Sequence, residues 1–124
     1  MKLHILSDLH LSVQGMARPR TDADVVVLAG DIHRPATAIE WALGFGQPVI
    51  YVPGNHEFYG ASLPAAVREL RQLSEGTHVH VLDNRALELR GVRFLGSTLW
   101  TDFRIAGDGE RQAHAMAEAL KFNR

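Results

Sequence analysis

Apolar residues are concentrated in three short runs in the first half of the chain, Leu3–Leu6, Val25–Ala29 and Val49–Val52. The runs are rich in β-branched residues and show no regular alternation with polar residues. Such near-continuous apolar runs are typical of strands that are buried on both faces of a parallel sheet. The pattern therefore predicts three parallel strands.

The segments on either side of the third run have the features of helices. Before it, Pro35 suits the first turn of a helix whose apolar face includes Ile39 and Leu43. After it, Ser62 can cap a second helix whose buried stripe ends at Leu73. Strands that alternate with helices predict βαβ units, and hence a layered α/β fold.

The remaining residues follow a different pattern. Residues 78–83 predict a fourth strand, and residues 85–100 predict a hairpin with Arg90 and Gly91 at its turn. Residues 108–123 have the apolar spacing of a helix. No long linker or internal repeat divides the chain, so residues 1–124 are expected to form a single domain.

Each of the first three predicted strands runs directly into polar residues. Asp8 and His10 follow the first strand, Asp31 follows the second, and Asn55 and His56 follow the third. The intervals are nearly equal, and each is about one strand plus one crossover helix. Because parallel strands end at the same edge of a sheet, where open α/β sheets bind ligands, these side chains are expected to converge.

The converging side chains offer oxygen and nitrogen ligands to a divalent metal. Asp8 and His10, two positions apart on an extended segment, would point to the same side and hold one ion. Asp31 adds a carboxylate and Asn55 an amide oxygen. This set suits Mn²⁺, Fe, Zn²⁺ or Mg²⁺ and does not choose among them. Asp and Asn are also common in simple turns, but three such clusters at strand ends favour a metal site.

Composition narrows the classes of function further. The 124 residues have a net charge of −1, which gives no indication of a nucleic-acid partner. There is no cysteine, which excludes disulfides and thiolate metal sites, whereas seven histidines direct attention to metal or acid–base chemistry. The first residues do not form a signal peptide, and no apolar run approaches the ~20 residues that span a bilayer. We therefore expect no membrane partner and a cytoplasmic location.

Three motifs at the strand ends carry a resemblance to a known family: Asp8-x-His10, Gly30-Asp31 and Gly54-Asn55-His56-Glu57. In this order and spacing they resemble the first three motifs of the calcineurin-like metallophosphoesterases. Residues 84–103 also resemble bacterial members of that family. The resemblance implies the first half of a four-layer α/β/β/α sandwich and a metal-dependent phosphoester hydrolase, either a phosphatase or a phosphodiesterase.

The resemblance also implies a role for each matching residue. Asp8 and His10 match ligands of a first metal, Asp31 matches the carboxylate that bridges two divalent metals, and Asn55 matches a ligand of the second. His56 matches the histidine that contacts the substrate phosphate and assists the leaving oxygen. In the family, metal-activated water attacks phosphorus in line while the metals neutralise the developing charge.

Two features of the sequence depart from a full match. After Gly30-Asp31 the second aspartate of the Gly-Asp-x-x-Asp-Arg motif is absent, which argues against the phosphoprotein phosphatase branch of the superfamily. The family takes three further histidines from its second half, including a Gly-His-x-His motif, and nothing after residue 100 supplies them. We therefore expect a domain that lacks the C-terminal half of the fold and has an incomplete second metal site. Near residue 78 a similar stretch is interrupted by Thr77, so His78 and His80 are not expected to be ligands. Glu57 belongs to the third motif, but we assign it no chemical role from the sequence.

The leading functional hypothesis is thus metal-dependent phosphoester hydrolysis, impaired in the isolated chain. One alternative is a non-catalytic metal-binding remnant or subunit that needs a partner, and turnover of an aryl phosphodiester would separate the two. The other alternative is a nucleotide-binding α/β module, whose affinity for nucleotide would survive metal chelation. The physiological substrate, the preference for monoester or diester and the identity of the metal stay open.

The apolar character of the strands also predicts association. Val25–Ala29 and Val49–Val52 are apolar on both faces, and the resemblance implies that helices cover only one of these faces. An open apolar face of more than a few hundred Å² is unusual for a monomer. We therefore expect a homo-oligomer or a complex with a companion chain.

Overall fold

The computed structural model describes residues 1–122 and has a parallel sheet at its centre. The strands of this sheet are β1 (Leu3–Leu6), β2 (Val25–Ala29), β3 (Val49–Val52) and β4 (Val79–Val81), in that spatial order. All three strand pairs are parallel, with Leu3 opposite Val25 in the first pair. The four predicted strands and the predicted parallel pairing of the first three are thus confirmed, and β4 also pairs parallel to β3, so all carboxyl ends lie at one edge.

Two α-helices cover one face of this sheet. Helix α1 (Pro35–Leu43) connects β2 to β3, and α2 (Leu63–Ser74) connects β3 to β4. Pro35 is in the first turn of α1, and the Ser62 hydroxyl accepts a hydrogen bond from the Ala65 N–H at the start of α2. Both helix starts are therefore as the sequence predicts.

The predicted apolar faces of the two helices are only partly correct. Leu43 and Leu73 are 38% and 42% exposed, whereas Ala38, Ala42 and Ala66 are fully buried. Small side chains let a helix backbone approach its neighbours, and α1 and α2 pack both on the sheet and on each other. The alanines therefore occupy the contact positions, and the bulkier leucines lie at the margins.

A hairpin lies against the opposite face of the sheet. It consists of β5 (Arg85–Leu89) and β6 (Val92–Gly96), which pair antiparallel through a turn at Arg90 and Gly91. Both turn residues have positive φ, 49° and 76°, as a two-residue hairpin turn of type I′ requires. The α/β architecture and the predicted hairpin are confirmed.

A last helix, α3 (Glu110–Phe122), follows an irregular segment after the hairpin. It lies within the predicted range of 108–123, of which Asn123 is outside the described residues. None of the helices in residues 1–122 is both long and apolar enough to cross a membrane.

Candidate metal centre

Backbone hydrogen bonds join the loop that follows β1 to the loop that follows β2. The Asp8 N–H donates to the Gly30 carbonyl at 2.9 Å, and the His10 N–H donates to the Asp31 carbonyl at 3.0 Å. These bonds continue the pairing of the two strands beyond their ends. The side chains of the first two motifs are thereby brought to the same edge of the sheet.

The backbone of these loops is not extended, so the expectation that Asp8 and His10 lie on an extended segment is wrong. Asp8, His10 and Asp31 have φ values of 54°, 44° and 57°, in the left-handed region. A non-glycine residue held there costs on the order of 1–3 kcal/mol, and such strain is concentrated at functional sites. Asp8 and His10 therefore meet because the chain turns twice, and not because alternate residues of an extended segment share a face.

The three side chains converge closely enough to share an ion. Asp8, His10 and Asp31 each offer a ligand atom, and these atoms all lie within 4.8 Å of one another. His10 Nε2 is 3.9 Å from an Asp8 carboxylate oxygen and 3.9 Å from an Asp31 carboxylate oxygen. Two ligands at about 2.0–2.2 Å from one ion are at most about 4.4 Å apart, so both distances fit a shared metal. The carboxylates and the imidazole are also the donor types that such metals use.

The third loop packs tightly onto the second, through two glycines. A Cβ on Gly54 would clash with the Asp31 carboxylate, and a Cβ on Gly30 would lie 3.0 Å from the Gly54 Cα. Gly30 also has a φ of 89°, which other residues rarely adopt. Glycine at both positions therefore allows Asp31 to lie directly against the Asn55–Phe58 turn.

That turn, a short 3₁₀-helix over Asn55–Phe58, places the two residues of the third motif differently. The His56 N–H donates to the Asp31 carboxylate at 3.0 Å, and its ring lies edge-on to the His10 ring at 4.8 Å. Asn55 lines a cavity of about 520 Å³ together with Asp8 and Asp31. All five predicted site residues thus lie at one edge of the sheet, and Asp31 shares one cavity with Asn55 and another with His56.

Glu57 is the functional residue that sequence reasoning missed. It is 1% exposed, and its carboxylate accepts from the Asp31 N–H at 3.1 Å, the Ile32 N–H at 2.9 Å and the Tyr51 hydroxyl at 2.7 Å. Glu57 therefore fixes the backbone of the loop that carries Asp31. The only signal in the sequence is a carboxylate placed directly after a buried strand, which does not say whether it binds a ligand or the protein itself.

The burial of Glu57 changes its ionisation and that of its partner. Desolvation raises the pKa of the Glu57 carboxyl, and the nearby Asp31 raises it further, although the hydrogen bond from Ile32 acts in the opposite direction. The pKa of Tyr51 is also raised, first by burial and then by the charge of Glu57. Tyr51 therefore stays protonated, as a donor to Glu57.

His78 has a structural contact away from this cluster. Its Nε2 lies 2.7 Å from the Phe45 carbonyl, so it joins the start of β4 to the end of α1. His78 is not part of the Asp8–His10–Asp31 group.

Comparison with known proteins decides the family. The family model described as the calcineurin-like phosphoesterase superfamily domain matches residues 1–119. The chain belongs to this superfamily. The resemblance carried by the three motifs is thus confirmed. Superfamily members normally bind divalent metals, which agrees with the Asp–His–Asp group.

Two proteins are similar to this chain, and one of them is a solved structure of the same fold. An uncharacterized protein of Acanthamoeba polyphaga mimivirus is 27% identical, over 81% of this chain and 44% of its own length. The crystal structure of a phosphopantetheinyl hydrolase from Mycobacterium tuberculosis matches with a TM-score of 0.64 and 25% identity, over 98% of this chain and 51% of its own. The chain therefore spans about half the length of the proteins it matches.

Proposed function

We propose that this chain carries the first metal site of a phosphoester hydrolase, with Asp8, His10 and Asp31 as ligands. The observation that carries the proposal is the convergence of their three ligand atoms within 4.8 Å, from two loops with strained backbones. When bound, divalent metals would polarise the phosphate and activate the attacking water. Mn²⁺, Fe, Zn²⁺ and Mg²⁺ all suit this donor set.

Asp31 is the residue that we propose to lie between two metals. It lines the 520 Å³ cavity with Asp8 and Asn55, and it also lines a small cavity of about 60 Å³ with His10 and His56. The side chain is 13% exposed, and its orientation is fixed by the His56 N–H. Asn55 would then be a ligand of the second metal.

His56 is proposed to contact the phosphate of the substrate. The ring is exposed and lies between the rings of His10 and Tyr59, with centroids 4.8 Å and 4.5 Å away. An imidazole N–H at this position can donate to a phosphate oxygen and can give a proton to the leaving oxygen. Because the His56 N–H is hydrogen-bonded to the Asp31 carboxylate, the position of His56 is tied to that of the proposed bridging ligand.

The second metal has fewer ligands within the chain. Asp31 and Asn55 are the residues proposed for it, whereas the superfamily adds histidines that have no counterpart after residue 100. Catalysis by two metals needs both ions held about 3.5–4 Å apart. We therefore propose that this chain hydrolyses phosphoesters weakly by itself and becomes efficient only with further ligands.

The open face of the sheet leads us to propose that the chain also associates, with a second copy or a companion chain. Leu3 and Ile5 are 40% and 62% exposed on β1, and Leu95 is 76% exposed on the hairpin. Covering apolar surface contributes about 25 cal/mol per Å². A companion chain that brought histidines would also complete the second metal site.

Calorimetric titration with Mn²⁺ and Zn²⁺ tests the proposed site. The wild-type chain should bind at least one ion, Asp31→Ala should abolish stoichiometric binding, and Asp108→Ala should leave it unchanged because Asp108 lies outside the cluster. Turnover of an aryl phosphodiester, measured in parallel, separates a weak hydrolase from a metal-binding protein without activity. Wild-type binding in Asp31→Ala would contradict the ligand assignment.

A further inference from the structure

A second, larger cavity lies beside the candidate metal centre. It has a volume of about 760 Å³, within the range of pockets that hold small ligands. It is bounded by the Asn55–Phe58 turn, the start of α2 and the segment 99–103. Four aromatic residues line it: Phe58, Tyr59, Trp100 and Phe103.

The two cavities share part of their walls. Asn55 and Leu99 line both the 760 Å³ cavity and the 520 Å³ cavity that contains Asp8 and Asp31. A phosphate group beside the carboxylate cluster would therefore have its ester substituent directed past Asn55. The aromatic cavity is the adjoining space for that substituent.

The charges around the aromatic cavity restrict what it can hold. Among the described residues that line it there is no lysine, arginine or histidine, and Asp102 supplies a negative charge. The Asp102 carboxylate accepts from the Arg104 N–H at 3.0 Å, which fixes it locally. A second phosphate or a carboxylate in this cavity would have no cationic side chain in the lining to pair with and would be repelled by Asp102.

The rings are arranged to pack against another ring. Phe58 is 6% exposed and supports Trp100, with ring centroids 5.4 Å apart and planes inclined by 51°. Trp100 is 51% exposed, so much of its surface has no partner among the described residues. Aromatic pairs gain stability beyond the burial of area when their rings are offset or inclined.

We propose that this cavity binds the uncharged aromatic part of a phosphoester whose phosphate lies at the Asp8–His10–Asp31 cluster. The inference rests on the proposed function for the position of the phosphate, and on the cavity itself for the chemistry of the ester substituent. Trp100 would be the specificity-determining residue.

Two measurements test this subsite. In the first, calorimetry in the presence of Mn²⁺ compares phenylphosphonate with methylphosphonate, which have the same anionic group and differ by the ring. Phenylphosphonate should bind about tenfold more tightly to the wild type. Trp100→Ala should remove that preference and leave the affinity for methylphosphonate unchanged. The control Ile105→Ala, two residues beyond the segment 99–103 and outside the cavity, should retain the preference.

In the second measurement, 4-bromophenol is titrated without metal, and quenching of tryptophan fluorescence reports contact with the ring. The wild type should show saturable quenching. Trp100→Phe, in which Trp41 is the remaining tryptophan and does not line the cavity, should show none. Circular dichroism checks that each variant is folded.

The outcomes separate the two proposals. Equal affinity for both phosphonates, a preference that survives in Trp100→Ala, or the same quenching in Trp100→Phe would overturn the subsite. If neither phosphonate binds but 4-bromophenol quenches Trp100 saturably, the subsite is supported and the proposed function is contradicted. If methylphosphonate binds with metal and Trp100 is not quenched, the proposed function stands and the subsite is wrong.

Discussion

The two faces of the parallel sheet differ sharply in how they are covered. On the helix face, Val26, Leu28, Val49 and Tyr51 are fully buried. On the opposite face the hairpin covers the central strands, so Val25 and Ile50 are buried at 1% and 2%. The hairpin leaves β1 uncovered, so Leu3 and Ile5 on the same face are largely exposed.

This difference shows which part of the fold holds the candidate metal centre. Tyr51 belongs to the face that α1 and α2 cover, here called the closed face. Its hydroxyl donates a hydrogen bond to Glu57, which in turn fixes the backbone of the Asp31 loop. The site is therefore anchored in the helix-covered face of the sheet. The open face contributes no candidate ligand among the described residues, and it is the face at which we propose association.

The largest expected effect comes from a cavity in the closed face. Leu28→Ala should reduce the free energy of unfolding by about 2–5 kcal/mol, because a fully buried leucine leaves a space that its neighbours fill only in part. Urea denaturation measures the loss. In the unassociated chain, at low protein concentration, the comparison variant Ile5→Ala should cost about 0.5 kcal/mol or less, since that side chain is mostly in water. A large loss in Ile5→Ala would show that the open face is covered in solution.

Removing the carboxylate that links the closed face to the site should have the next largest effect. Glu57→Gln replaces one acceptor oxygen by an amide, so the N–H of Asp31 or Ile32 loses its partner. We expect a loss of about 1–3 kcal/mol in unfolding free energy, together with weaker Mn²⁺ binding. Glu88→Gln, at an exposed position on the hairpin, is the matched control. Unchanged metal affinity in a folded Glu57→Gln would show that Glu57 does not position Asp31.

A charge on the open face should affect association more than stability. Ile5→Lys should weaken self-association or binding of a companion chain about tenfold, because a lysine would have to be desolvated at the contact. Sedimentation equilibrium at micromolar concentration measures this effect for the homo-oligomer. Leu73→Lys, which changes an exposed leucine on α2, should leave association unchanged. A well-behaved monomer in the wild type would contradict association with a second copy.

The smallest expected effect on stability comes from the ion pair that connects the hairpin turn to the parallel sheet, Arg90 with Asp24. A backbone hydrogen bond from Lys2 lowers the pKa of Asp24, and Arg90 at the hairpin turn lowers it further. The ionised carboxylate therefore stabilises the fold at pH values above its ordinary pKa of 3.8. This contribution is lost as the pH falls through the lowered pKa that Asp24 has in the folded state. Asp24→Asn should be slightly less stable than the wild type at pH 7, and thermal melts should show the difference disappearing in acid. A difference that persists in acid would exclude the ionised carboxylate as its cause.

The sequence by itself determined the features that depend on neighbours along the chain. Near-continuous apolar runs predicted the parallel strands, because burial on both faces needs such runs whatever lies around them. The turn at Arg90 and Gly91 followed from local backbone preference. The positions of Asp8, His10, Asp31 and Asn55 at one edge followed from the rule that parallel strands end together.

Tertiary structure decided the features that depend on residues far apart in sequence. Ala38 and Ala42 were buried in place of Leu43 because the spacing between helix and sheet selects side chains by size. The left-handed backbone of Asp8 and His10 is imposed by hydrogen bonds to the next loop. The role of Glu57 depends on donors that lie 25 and 26 residues away. A motif can identify a conspicuous carboxylate, but only the tertiary packing decides whether that carboxylate binds a ligand or accepts hydrogen bonds from the protein's own backbone.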